Sequence, residues 1–251
     1  MNTVLHGNCL ELMKDIADKS IDMILCDLPY GTTACKWDVI IPFDKLWEQY
    51  HRIIKDNGAI VLTASQPFTS ALVMSNVKNF KYEWIWNKSR PTGHLEAKNK
   101  PMKKHENILV FSKGASANGC KNRIIYNPIG LIKVERYNKN STDTDNYGSR
   151  KSRPVGVVIK QEYTNYPQTI LQFASESKTI HPTQKPVALF EYLIKTYTNE
   201  GDIVLDNCAG SGTTAIAAIN TNRNYILMEQ EQKYFDIINE RISNHTRQLA
   251  L

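Results

Sequence analysis

Ile203-Val204-Leu205-Asp206-Asn207-Cys208-Ala209-Gly210-Ser211-Gly212-Thr213-Thr214 joins a short apolar run, an acidic residue, a glycine-containing turn and the start of a helical pattern. The apolar run reads as a buried strand, and 213–220 has helical spacing. Gly210 and Gly212 let the backbone turn tightly and approach a ligand closely, while a helix start offers free N–H groups. Glu229 ends the next apolar run, 225–228, 17 residues after Gly212. An acidic side chain placed there can accept hydrogen bonds from ribose hydroxyls. A strand-to-helix turn also needs glycines for its own geometry, so the pair alone leaves turn and binding loop both open. The spacing is not Gly-x-Gly-x-x-Gly and lacks the Lys of a phosphate loop. That favours an adenosine-type ligand without a phosphate chain over a dinucleotide or nucleoside triphosphate.

Around this stretch, apolar runs bounded by turn residues recur at the spacing of alternating strands and helices. Further strands are predicted at 3–6, 21–26, 59–63, 82–86 and 108–111. Helices are predicted at 10–16, 43–54, 67–75, 186–197, 213–220 and 232–242. This alternation predicts an α/β fold with a mostly parallel sheet and helices on both faces. Ligands of such sheets bind beyond the carboxyl ends of the strands, and three strands here end in Asp27, Asp206 and Glu229. The polar stretch 87–104 is longer than a structural hairpin needs. From 112 to 178 the apolar pattern fades, which reads as an insertion with 137–153 its most mobile part. The chain is expected to divide into 1–111, the insertion 112–178 and 179–251.

The 251 residues are 41% hydrophobic and 22% charged, enough to build a sizeable core. No stretch approaches the roughly 18 apolar residues that span a bilayer. Met1-Asn2-Thr3-Val4-Leu5-His6 lacks a basic flank and a following apolar run, so no signal peptide is expected and the chain is placed in the cytoplasm. Cys9, Cys26, Cys35, Cys120 and Cys208 include no Cys-x-x-Cys pair, which supports neither a zinc site nor a disulfide framework. Cys26 and Cys208 read as small buried residues. The net charge of +6 is uneven: residues 86–160 hold 16 Lys/Arg against 5 Asp/Glu, and the rest hold 15 against 20. A basic insert in an acidic scaffold fits a polyanionic partner or a solvated loop region.

Two more clusters carry chemistry. Asp27-Leu28-Pro29-Tyr30-Gly31 follows the strand 21–26. Pro29 restricts Leu28 to extended geometry and fixes the direction of its carbonyl. Asp27 and that carbonyl offer two acceptors to an amine with two N–H donors, and Tyr30 offers a planar face on which a base can stack. The same residues also make a strand-ending turn, so this cluster alone leaves both readings open. His181-Pro182-Thr183-Gln184-Lys185-Pro186 leads into the helix 186–197. Its prolines stiffen it, and Thr183, Gln184 and Lys185 suit a carboxylate or a phosphate.

Together the three clusters resemble the DNA amino-methyltransferases, whose signature is typically Asp-Pro-Pro-Tyr and whose cofactor loop commonly reads Asp-Pro-Phe-x-Gly-Ser-Gly-Thr-Thr. Their order, with the signature first, then the insertion, then His-Pro-Thr-Gln-Lys-Pro and the cofactor loop, resembles the β class over 3–113 and 180–243. The resemblance implies a Rossmann-like methyltransferase fold with circularly permuted motif order. The catalytic half would be 1–111, the target-recognition region 112–178 and the cofactor-binding half 179–251. It further implies S-adenosylmethionine as cofactor, no metal, and duplex DNA with a flipped target base as substrate. Asp27, Leu28, Pro29 and Tyr30 would be catalytic, Asp27 and the Leu28 carbonyl holding the target amine and Tyr30 stacking on the base. Asp27, Asp206, Cys208, Gly210, Ser211, Gly212, Thr213 and Glu229 would line the cofactor pocket, with Glu229 at the ribose. Thr183 and Lys185 would lie near the methionine end, and Asn8 and Cys9 near the adenine. The chain departs from the family at three points. Asn8 stands where Asp is usual, Leu28 replaces the first proline of the signature, and Asn207-Cys208 replaces Pro-Phe.

In that family the target nucleotide leaves the duplex at a cost of roughly a few kcal/mol, and stacking on Tyr30 would return about 1–3 kcal/mol. Transfer is direct, so Cys26 is read as core and not as a nucleophile. Lys36, Lys88, Arg90, Lys98, Lys100, Lys103 and Lys104 flank the implied site as candidate phosphate contacts, and the insertion would read sequence. Trp84 and Trp86 share a strand face and read as core; His105 reads as structural. Adenine N6 is the expected target, because cytosine enzymes of this type often carry Ser at the position of Asp27. Cytosine N4 methylation, a non-catalytic DNA-binding relative, and an enzyme acting on RNA or protein glutamine are the alternatives. A cognate restriction endonuclease and a homodimer are compatible with this reading, and no membrane partner is expected.

Overall fold

Ile21–Asp27 is buried at six of its seven positions, so it needs a covering layer on both faces. The computed structural model, which describes residues 2–33, 35, 37–139, 156, 158–176, 180 and 184–249, supplies both layers. In chain order the elements are β1 (Thr3–His6), α1 (Cys9–Leu12), β2 (Ile21–Asp27), α2 (Phe43–Ile53), β3 (Ile54–Ala64), α3 (Phe68–Ser75), β4 (Phe80–Thr92) and β5 (Lys103–Phe111). They continue with β6 (Ile132–Lys139), β7 (Val158–Thr164), β8 (Ile170–Phe173), α4 (Val187–Tyr197), β9 (Ile203–Asp206), α5 (Thr213–Asn220), β10 (Asn224–Glu229) and α6 (Gln232–Leu249).

The chain forms two compact units, Met1–Asn127 with Thr169–Leu251, and Pro128–Gln168. In the first, eight strands make one sheet in the order β1-β10-β9-β2-β3-β5-β4-β8. From β1 to β3 all neighbours are parallel; β5 runs antiparallel to β3 and β4, and β8 is parallel to β4. Side chains alternate across the sheet. Met23, Leu25, Val61 and Val204 pack with Leu193 of α4, Ala217 of α5 and Ile238 of α6. Ile24, Cys26, Ile60 and Leu205 pack with Leu46 and Tyr50 of α2 and Leu72 of α3. The expected α/β fold, with a mostly parallel sheet covered on both faces, is the one observed. The smaller unit is an antiparallel pair, β6 with β7, running from Ile132↔Thr164 to Lys139↔Val158 with a register shift between Lys133 and Arg136.

Several boundaries differ from the sequence reading. The two ends of the stretch 87–104 are strand: β4 runs to Thr92, β5 begins at Lys103, and Thr92 pairs with Lys103. Backbone pairing needs no apolar side chains, so polar composition concealed the hairpin. The helix expected over 10–16 ends at Leu12 and passes into a 3₁₀ turn, Met13–Asp15. The region 112–178 contains β8, which belongs to the main sheet, and its separate compact part is Pro128–Gln168. Much of 137–153, expected to be mobile, lies outside the described residues. Trp84 and Trp86 are buried as expected, Trp84 donating to the Tyr197 hydroxyl at 2.6 Å and Trp86 to the Phe173 carbonyl at 2.9 Å. Among the described residues no helix is long and apolar enough to cross a membrane.

Ile24 is fully buried at the centre of β2, between β3 and β9. Ile24→Ala is expected to lower unfolding free energy by about 2–5 kcal/mol, as measured by urea titration.

Candidate active site

Parallel pairing of β2 with β9, Met23↔Val204 and Ile24↔Leu205, brings Asp27 and Asp206 to the same end of the sheet. β10 pairs with β9 at Leu227↔Asp206 and delivers Glu229 beside them. β1 pairs with β10 at His6↔Glu229, which sets Asn8 and Cys9 at that end as well. A cavity of ≈ 750 Å³ opens there, lined among others by Asn8, Asp27, Tyr30, Lys185, Asp206 and Glu229. That volume lies within the range of small-molecule sites.

Asp27 is held from three sides. Its Oδ1 accepts the Tyr30 hydroxyl at 2.7 Å and also the hydroxyl of Thr63, its register partner on β3. Its Oδ2 accepts Lys185 Nζ at 2.6 Å. Lys185 Nζ also lies 3.4 Å from Glu106 Oε2, and Lys88 Nζ lies 3.2 Å from Glu106 Oε1. Two carboxylates and two ammonium groups thus alternate along one buried line. Burial disfavours the Lys185 charge, but Asp27 and Glu106 outweigh it and hold its pKa above that of an ordinary lysine. Burial likewise opposes the Glu106 charge, and Lys185 and Lys88 bring that carboxyl below its ordinary value. Tyr30 stacks on Phe68 with ring centroids 5.0 Å apart. Burial, then the charge of Asp27, raises its hydroxyl pKa well above the ordinary value.

The glycine turn is organised around two acids. Glu229 Oε2 accepts the Gly210 N–H and Oε1 the Glu231 N–H, both at 2.8 Å. Asp206 accepts the Cys208 N–H at 3.1 Å and the Thr214 hydroxyl. Gly212, at φ +76, is the N-cap of α5, and a Cβ there would meet Ile238 of α6 at 3.1 Å. Arg241 of α6 donates to the Ser211 carbonyl at 2.9 Å.

Most residues singled out in the sequence meet at this cavity. Asn8, Cys9, Asp27, Leu28, Pro29, Tyr30, Lys185, Asp206, Cys208, Gly210, Ser211, Thr213 and Glu229 all line it. Gly212 is not among the lining residues and serves the turn and the close approach of α6. Asn8 uses its side-chain carbonyl to accept the Leu10 N–H at 2.9 Å, capping α1. Lys185, expected at the methionine end of a cofactor, lines the cavity and is bonded to Asp27. Lys88, read as a phosphate contact, is buried and paired with Glu106, because it continues the inward face of Trp84 and Trp86. Arg90, Lys98, Lys100, Lys103 and Lys104 are exposed on the β4–β5 hairpin, Lys100 pairing with Glu96. His181, Pro182, Thr183 and Lys36 lie outside the described residues. Cys26 is fully buried, with burial pushing its thiol up to about 12; Cys208, read as buried, is only partly so. Contact with Cys208 is the main cause that lowers Cys9 to about 7.

Three contributors were not legible in the sequence: Thr63, Glu106 and Asp38. The Asp38 carboxylate gathers the N–H groups of Gly31, Thr32 and Thr33 at 2.7–2.9 Å and shapes the loop beside Tyr30. Burial opposes its charge, but these donors hold its carboxyl below the ordinary value. Among the described residues, no group of three His, Cys, Asp or Glu could hold a metal ion.

A permuted parallel sheet with an Asp-x-Pro-Tyr turn beside a glycine turn has the fold and site of a methyltransferase. A family model described as DNA methylase matches residues 21–240, and the chain belongs to that family. The type II methyltransferase M.HinfI of Haemophilus influenzae is 28% identical over 96% of this chain and 68% of its own. The DNA adenine methyltransferase YhdJ of Escherichia coli (strain K12) is 28% identical over 92% of this chain and 79% of its own. The crystal structure of M1.HpyAVI in complex with S-adenosylmethionine superposes with a TM-score of 0.62 at 26% identity, covering 96% of this chain and all of the other.

Burial pushes the Asp206 carboxyl from 3.8 up to about 6, against the donors Thr214 and Cys208. A native pKa above the unfolded one means that its contribution is fullest below about pH 4 and is lost as pH rises through about 6. Asp206→Asn is expected to remove that decline, which is worth at most about 3 kcal/mol. Urea unfolding of both proteins at about pH 4 and about pH 8 measures it.

Proposed function

We propose that the chain methylates N6 of a flipped adenine in duplex DNA, with S-adenosylmethionine as methyl donor. The observation that carries this reading is the single cavity shared by the Asp27–Tyr30 turn and the glycine turn capped by Glu229. The lining residues suit this cofactor. Asp27, Asp38, Glu106, Glu176, Asp206, Glu229 and Glu231 line the cavity against Lys88, Lys103 and Lys185, an excess of carboxylates that favours a cationic ligand over a phosphate. The Glu229 carboxylate accepts the Gly210 and Glu231 N–H groups and would take ribose hydroxyls at its remaining acceptor positions. Asp206, Cys208, Gly210, Ser211 and Thr213 would complete the wall, with Asn8 and Cys9 at its adenine end. When bound, S-adenosylmethionine supplies a methyl group activated by its sulfonium charge.

The chain's own residues position the amine. A carboxylate has about four acceptor positions, and Tyr30, Thr63 and Lys185 use three at Asp27, leaving one on Oδ2 for an N–H of the target amine. Pro29 holds Leu28 extended, so that the Leu28 carbonyl takes the second N–H. Leu28 itself is anchored in the core. Phe68 stacks on Tyr30, Lys185 Nζ lies 6.0 Å from the centre of its ring, and the base would stack on Tyr30 within this setting. Fixing the amine in this way lowers the barrier by positioning and by acceptors aimed where positive charge develops.

DNA phosphates would be met by Arg90, Lys98, Lys100, Lys103 and Lys104, and by Lys36. Bases outside the target would be read within 112–178, whose compact part is Pro128–Gln168. The type II names of relatives such as M.HinfI support a restriction–modification setting, in which a cognate endonuclease would be the partner. A homodimer is compatible with the same reading, and the cytoplasmic location rests on the N-terminal sequence and the lack of a long apolar stretch.

Asp27→Asn keeps the size of the side chain and removes its charge. Transfer of labelled methyl to DNA is expected to fall by roughly 10²–10³-fold while S-adenosylmethionine binding persists. Mass spectrometry of the wild-type product is expected to show N6-methyladenine. N4-methylcytosine would reassign the target, and full turnover by Asp27→Asn would refute the role of Asp27.

A further inference from the structure

Glu106 counts above only as one of seven lining carboxylates, yet it lies at the centre of the buried charges. It faces Trp86 across the β4–β5 pair, and its side chain is 15% exposed. Oε1 is 3.2 Å from Lys88 Nζ, and Oε2 is 3.4 Å from Lys185 Nζ, the ammonium bonded to Asp27. Lys88 and Lys185 side chains are 8% and 6% exposed, so water screens neither well. Lys103, exposed at the start of β5, adds a third positive charge facing Glu106. All four lysine and glutamate residues line the cavity. With Glu106 ionised, the four groups in ion-pair contact, Asp27, Glu106, Lys88 and Lys185, sum to zero, and Lys103 at the cavity edge adds one positive charge. Without Glu106 the same wall is one charge more positive, beside the place where a cation must sit.

We propose that Glu106 is a positioning residue that makes this cavity tolerate a sulfonium: it holds Lys185 on Asp27 and cancels the charge of Lys88. This rests on the S-adenosylmethionine reading given above. The proposal separates charge from shape, because S-adenosylhomocysteine differs from S-adenosylmethionine by one methyl group and one positive charge. Loss of a merely structural side chain weakens both molecules alike. Loss of a charge-balancing one weakens the cation selectively.

Calorimetric titration of both molecules into the full chain tests this. Glu106→Gln is expected to shift the affinity ratio against S-adenosylmethionine by roughly tenfold, a size set by one buried charge at short range. Glu106→Asp, which keeps the charge, is expected to preserve the ratio. Lys88→Gln changes the wall charge in the opposite sense and is expected to shift the ratio towards S-adenosylmethionine, an outcome that stands even where Glu106→Gln does not fold. Glu106→Gln together with Lys88→Gln is expected to restore the wild-type ratio. Equal weakening of both molecules by Glu106→Gln, or an unchanged ratio in Lys88→Gln, overturns the proposal. A wild-type chain that binds neither molecule overturns the cofactor reading itself.

Discussion

The pairing of β2 with β9 is the constraint on which the site depends. These strands come from opposite ends of the chain, and between them the order of strands in the sheet reverses. In an open α/β sheet such a reversal leaves a crevice beyond the carboxyl ends, because the connections on either side run in opposite directions. Met23↔Val204 and Ile24↔Leu205 fix the register, and a slip of one residue would exchange the two faces of β2. The core resists that slip, since Ile24 and Leu25 belong to different helical layers. Register therefore passes directly from core packing to the meeting of Asp27 with Asp206.

The second organising feature is electrostatic. Buried charges are costly unless paired, and this chain places Asp27, Lys185, Glu106 and Lys88 in an unbroken alternating series. The series joins three parts of the chain: the end of β2, the β4–β5 hairpin and the segment leading into α4. It fixes the rotamer of Asp27 without recourse to a metal ligand set. On the other side of the cavity, Glu229 and Asp206 are satisfied chiefly by backbone N–H groups and hydroxyls, which leaves those acids with acceptor capacity but no fixed countercharge.

The layered fold and the convergence of its motifs were legible in the sequence, since apolar periodicity reports strands and helices and three strands end in acids. The site was only half legible. Asp27, Tyr30, Asp206 and Glu229 stand in local patterns. Glu106 and Thr63 reach the cavity through cross-strand register, which a local pattern does not carry. Lys88 illustrates the difference: counted with its basic neighbours it reads as surface, but its alternation with Trp84 and Trp86 places it inward. The β4–β5 hairpin was concealed because its outer part pairs through backbone groups under polar side chains. Gly212 shows that a motif glycine can also answer to the fold, through its left-handed φ of +76 and its close packing against Ile238.

A crystal structure of the chain grown with S-adenosylhomocysteine addresses the shared cavity most directly. The account predicts ribose hydroxyls on the Glu229 carboxylate and the sulfur facing the Asp27–Tyr30 turn. A ligand seated elsewhere on the chain, or one that turns its sulfur away from Asp27, would contradict it.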